Sequence, residues 1–147
     1  LIDVMDLDTA ANIARVELAA LGIRVRDARQ TVGTMSGGEK QCLAIARAIH
    51  FGAKVLILDE PTAALGVKQS VNVLKLITRA RARGISVIFI THNVVHAMTV
   101  GDHFAVLIRG AKAADFRKGE KTREEITDLM AGGEAMAELE AEIDSYA

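Results

Sequence analysis

The sequence predicts an α/β fold with parallel strands. Residues 54–59 and 86–91 are nearly continuous aliphatic runs, the pattern of strands buried on both faces. Residues 67–83 between them form a long helical segment. Strand, helix, strand at this spacing is a βαβ crossover, and its strands should lie parallel. Half of the 147 residues are hydrophobic, enough to build a core in about one domain.

The elements follow in order. Residues 9–21 carry a broad apolar stripe of Ala10, Ile13, Ala14, Val16 and Leu21, with Thr9 to cap its start and Gly22 its end. Residues 23–35 read as a short helix or turn and a loop. A helix over 37–51 opens with the S-x-x-E capping box of Ser36 and Glu39, buries Cys42, Ile45, Ala46 and Ile49, and stops at Gly52. The first aliphatic strand comes next. In the helix over 67–83, Val67, Val71, Leu74 and Ile77 should face inward, and Lys68, Asn72, Lys75, Arg79 and Arg83 outward. Gly84 ends it before the second strand. A short helix over 94–99 precedes two runs, 103–109 and 112–116, which read as an edge hairpin around Gly110. Residues 122–130 form a helix with a second capping box, Thr122 and Glu125. An acidic helical tail closes the sequence.

Composition narrows the function classes. A net charge of −1 gives no electrostatic case for nucleic acid or an anionic membrane surface. The single cysteine, Cys42, excludes an intrachain disulfide and leaves the redox compartment open, with a reducing cytosol the easier fit. No signal peptide is evident, and the longest apolar runs fall far short of the roughly 20 residues that cross a bilayer. The chain starts at Leu1 rather than a methionine, and its first residues read as the middle of a domain. A fragment is therefore expected.

Three places carry chemistry. Asp59 and Glu60 end the first strand, and ligands of parallel α/β sheets bind outside the carboxyl ends of strands. An Asp there can hold Mg²⁺, usually through water, and a Glu beside it can orient or deprotonate a water, worth ~10²–10⁴-fold. The bland alternative is a solvated acidic turn. Ser36, Gly37 and Gly38 open a helix whose N-terminus carries roughly half a positive charge and unpaired N–H groups, which suits a phosphate. A plain capped helix is the alternative, and Ser36 can do both. His92 follows the second strand, where an imidazole can hydrogen-bond a terminal phosphate; lone histidines are more often structural. His50 is explained by its place near a helix C-terminus, and His96 and His103 read as surface or partly packed.

Together these residues resemble the ATP-binding subunit of ABC transporters. MSGGEKQ looks like the family signature LSGGQ, with Met35 for Leu and Glu39 for Gln. VLILDE is similar to the Walker B motif, PTAALG sits where the D-loop falls, and THN carries the switch histidine. The resemblance spans about residues 9–131. The D-loop usually ends in Asp, where this chain has Gly66, which puts the acidic contact of that loop in question. EPTAALGVKQ and ITHNVVHAMTVGDHFAVLIRG look like the monosaccharide-importer branch, of fructose and ribose type.

The resemblance implies an α/β fold that is the C-terminal part of a P-loop NTPase of the ABC ATPase kind, with parallel core strands, flanking helices and the remnant of a helical subdomain. Residues 1–52 would end the helical subdomain, 53–131 form the later half of the ATPase core, and 132–147 the acidic tail. The implied cofactors are ATP and Mg²⁺. Asp59 would hold the metal, Glu60 and His92 would be catalytic, and Ser36, Gly37, Gly38 and Glu39 would contact nucleotide. The implied partners are a second ATP-binding subunit in a head-to-tail dimer, transmembrane permease subunits and, indirectly, a periplasmic or extracellular sugar-binding protein, with no nucleic acid. The place would be the cytoplasmic face of the membrane, held by the permease.

No G-x-x-x-x-G-K-[ST] string occurs; Gly66-Val67-Lys68-Gln69-Ser70 has the wrong spacing and no strand ahead of it. The family's P-loop, adenine-stacking aromatic and Q-loop would precede Leu1, so the chain alone is expected to be inactive. Two competing readings are a DNA-repair or chromosome-type ABC ATPase, which would need coiled-coil arms and usually a basic groove, and a non-catalytic regulatory module, against which Glu60 and His92 argue.

Overall fold

A computed structural model describes residues 6–23, 27–132, 142–143 and 146. The expected acidic tail falls almost entirely outside these residues. The chain divides between Ile90 and Thr91 into two compact units.

The first unit holds helices α1 (Leu7–Ala20), α2 (Gly37–His50) and α3 (Val67–Ala82) and strands β1 (Val55–Asp59) and β2 (Ser86–Ile90), with one 3-10 turn at Val32–Thr34. β1 and β2 pair in parallel, Val55 opposite Ser86 through Asp59 opposite Ile90, as the crossover pattern predicts. α3 packs against α2 and against β2.

The helix starts are set by local hydrogen bonds. Asp6, rather than Thr9, caps α1: its Oδ1 accepts the amides of Asp8 and Thr9 at 3.0 and 3.1 Å. The Thr9 hydroxyl donates to Asp6 Oδ2 at 2.6 Å, and these Thr9 bonds hold the Asp6 carboxyl below its ordinary value. At the other end Gly22 takes φ +67°, and the Ile23 amide returns to the Leu18 carbonyl at 2.8 Å. The α1 C-terminus has no basic residue of its own. Two arginines of α3 supply the cations: Arg79 Nη1 donates to the Leu21 carbonyl at 2.6 Å, and Arg83 Nη2 to that of Ala20 at 3.1 Å.

The buried faces differ from the expected ones. On α1, Ala11 and Leu18 are buried, with Leu21 just beyond, while Ile13 and Val16 are exposed. This helix packs its side chiefly against α2, with α3 reaching only its C-terminal end, so its seam is narrow and rotated from the broad stripe. On α3, Leu74 and Ile77 are buried as expected, with Ser70, Val73, Leu76 and Ala80. Val67 and Val71 are exposed, because the arc facing both α2 and the sheet centres on residues 73–77. The strands alternate: Leu56 and Leu58 are buried, whereas Val55, Ile57, Ile88 and Ile90 are about half exposed or more. The sheet of the first unit is therefore covered on one face only, not both.

The second unit begins with α4 (Val94–Val100), capped by Asn93, whose side chain accepts the His96 amide at 3.0 Å. β3 (His103–Ile108) and β4 (Ala111–Arg117) form an antiparallel hairpin, a separate two-stranded sheet rather than an edge of the first. Its turn places Arg109 at φ +49° and Gly110 at φ +80°, the positive angles of a two-residue hairpin turn. α5 (Arg123–Met130) carries the predicted capping box, Thr122 amide to Glu125 Oε2 at 2.7 Å and Glu125 amide to Thr122 Oγ1 at 3.2 Å. Val106, Phe116 and Ile126 form the core, and Phe104 stacks on Phe116 with centroids 5.3 Å apart. On the surface Asp115 accepts from Lys112 at 2.8 Å and lies 2.5 Å from His103 Nε2; these contacts, Lys112 first, hold its carboxyl below the ordinary value.

Candidate nucleotide site

The helix start at Ser36 is built as the sequence predicts. The Glu39 amide donates to Ser36 Oγ at 3.3 Å, and the Ser36 amide to Glu39 Oε2 at 2.8 Å. The Glu39 carboxylate is thus engaged in shaping the turn. Ser36 and Gly37 are exposed, and Gly38 is buried. One turn on, Cys42 is buried; burial, then the nearby Glu39 charge, pushes its thiol up and keeps it protonated at neutral pH.

The two glycines answer different demands. A Cβ on Gly38 would lie 2.9 Å from Gln69 Cβ and 3.1 Å from its Cγ, too close without moving α3. Gly38 is therefore needed where α2 and α3 cross. A Cβ on Gly37 would meet only Leu65 Cδ2, at 3.4 Å. The sequence reading gave both glycines to ligand approach; at Gly38 the missing side chain also makes room for Gln69.

At the carboxyl end of β1, Asp59 is exposed and Glu60 half-buried. The Glu60 amide donates to the Ile90 carbonyl at 2.9 Å, which extends the pairing of β1 and β2 by one bond. Glu60 then takes φ +44°, and Ala64 takes φ +58°. Left-handed backbone at a non-glycine residue costs of order 1–3 kcal/mol and clusters at functional turns. The turn is held by the Ala63 amide to the Glu60 carbonyl at 3.0 Å and by burial of Pro61 and Thr62. It ends at Gly66, whose amide donates to Gln69 Oε1 at 3.2 Å.

None of the contacts above joins the helix start at Ser36 directly to Asp59 or Glu60. The start of α2 approaches Leu65, at the end of the turn, and Gln69, in the first turn of α3, to which the motifs gave no role of their own. A signal for Gln69 existed: it is the third residue of α3, where a Glu or Gln can return to the cap amide. His92 is exposed in the second unit, two residues past β2. Among the described residues, no three His, Cys, Asp or Glu side chains cluster as a metal cage.

The sequence profile of the ABC transporter family matches residues 5–63, which include both the 36–39 helix start and the Asp59–Glu60 turn. The xylose/arabinose import ATP-binding protein XylG of Sulfolobus acidocaldarius is 42% identical over 113 residues, 77% of this chain and 45% of that protein. The chain belongs to the ABC transporter family. The fructose import ATP-binding protein FrcA of Rhizobium meliloti is 41% identical over 129 residues, 86% of this chain and 50% of that protein. The chain spans about half the length of these two ABC relatives. Its fold matches solved ABC structures. An inward-facing metal-chelate type ABC transporter aligns with a TM-score of 0.72 at 24% identity, over 88% of this chain and 51% of that one. A dimeric post-hydrolysis ATP-binding cassette bound to ADP and phosphate aligns at 0.64 and 24%, over 82% and 52%.

Proposed function

We propose that this chain supplies the signature, Walker B and switch-histidine elements of an ATP-binding subunit that powers monosaccharide import. The observation that carries the reading is one chain with both an exposed, capped helix start at Ser36 and Gly37 and two acids at the carboxyl end of a parallel strand. Sugar-import names among the relatives favour the monosaccharide branch.

In this reading Ser36 and Gly37 present hydroxyl and amides to the terminal phosphate of ATP held by a second subunit. Gly38 and Glu39 shape that surface, one by allowing α3 to approach, the other by closing the capping box. Asp59 is the metal-side carboxylate. Mg²⁺ is commonly bound by one or two carboxylates plus phosphates and water, so one exposed Asp suits it; when bound it neutralises phosphate charge. Glu60 orients and deprotonates the attacking water, and His92 hydrogen-bonds the terminal phosphate. The partners are a second ATP-binding subunit, permease subunits and, through them, a sugar-binding protein. The subunit sits on the cytoplasmic face of the membrane through the permease.

The test is a chimera in which this chain replaces the matching part of the Rhizobium meliloti protein. Glu60→Gln should leave ATP binding intact and lower hydrolysis by a factor on the order of 10² or more. Asp59→Asn should instead weaken the magnesium dependence in a metal titration. Unchanged hydrolysis in the Glu60→Gln chimera overturns the assignment.

A further inference from the structure

Gln69 lies between the start of α2 and the end of the turn that follows Glu60, outside both the signature and the Walker B strings. Its Cβ and Cγ fill the space that a side chain on Gly38 would need, and its Oε1 accepts the amide of Gly66 at 3.2 Å. Gly66 cannot cap α3 with a side chain, so Gln69 supplies the side-chain half of the cap, beside the Gln69 and Ser70 amides that donate to the Gly66 carbonyl at 3.0 Å. The same residue therefore fixes the end of the 60–66 turn and the height at which α2 rides on α3. A Cβ on Gly37 would meet Leu65 of that turn at 3.4 Å, so the two lie close.

We propose that Gln69 is a positioning residue. It couples the phosphate-facing start of α2 to the turn that carries Glu60, so that the two move as one body within a subunit. This rests on the reading of the site given above. Loss of the clamp leaves each element folded but lets the helix start and the acidic turn shift independently. Reaction geometry is sensitive to such shifts, since about 1 Å of misplacement can cost ~10²-fold in rate.

The experiment has two readouts. In the chimera, Gln69→Ala should lower kcat about tenfold and leave the KM for ATP within about twofold, because nucleotide affinity comes mainly from elsewhere. Gln69→Glu keeps the Cβ, the Cγ and an acceptor oxygen, and should restore kcat to within about twofold of the parent. Amide hydrogen exchange on the full chain should speed up in both 36–39 and 60–66 for Gln69→Ala, and in neither for the exposed control Lys68→Ala. An active parent chimera with unchanged kcat in Gln69→Ala overturns the proposal. So does faster exchange confined to residues 66–69. An inactive parent chimera refutes the reading of the site instead, and the exchange result still decides whether the clamp exists.

Discussion

At positions 37 and 38, two adjacent glycines of one motif have separate physical causes. Gly38→Ala forces a Cβ into Gln69, a backbone-proximal clash that overpacking data price at about 1–3 kcal/mol. Gly37→Ala meets only the tip of Leu65 and gains helix propensity, so its effect should stay within about 1 kcal/mol of zero. Paired chemical melts of the two variants check this; equal destabilisation would refute the distinction. What was legible here was local. Ser36 with Glu39, and Thr122 with Glu125, are three residues apart and satisfy each other within one turn. Gln69 against Gly38 was not legible, because it depends on how two helices some thirty residues apart cross. Nor was the backbone of Glu60 and Ala64, for neither residue type favours positive φ.

The helices were correctly placed along the chain and less well around their axes. Periodicity locates a stripe, but the arc that is buried depends on how many neighbours a helix has. α1 lies chiefly on α2 and buries a narrow seam; α3 packs on both α2 and β2 and buries a wide arc that includes Ser70 and Ala80. The partners of helix ends also escape sequence reading when they come from elsewhere. α1 ends on Leu21 and Ala20 carbonyls that Arg79 and Arg83 of α3 satisfy. Arg79→Ala should destabilise the chain by about 1.5–3 kcal/mol, the usual net worth of a hydrogen bond from a charged group. Arg79→Lys should recover part of it through charge at the helix end. Thermal melts of both variants decide; an Arg79→Ala melt equal to that of the parent would mean that the bond contributes nothing.

For the whole chain, the aliphatic runs announced a parallel pair and its crossover, and both are present. They also announced burial on both faces, and there the outcome differs. Ile57 is 67% exposed and Ile88 51%, adjacent in register on the face opposite α3. Parallel sheets are normally covered on both sides. An open apolar sheet face drives association. The chain expressed alone should therefore self-associate with rising concentration, and Ile57→Lys with Ile88→Lys should reduce this. Light scattering across a dilution series measures it; a monomeric parent at high concentration would sink the idea.

The left-handed backbone at Glu60 has a consequence for how this position drifts. Glycine or asparagine would relieve the strain there, and each would stabilise the turn at the expense of a carboxylate. Selection for hydrolysis and selection for stability thus pull on one codon in opposite directions. In copies released from the first, glycine and asparagine should accumulate at position 60 sooner than at Asp59, whose extended backbone offers no such reward.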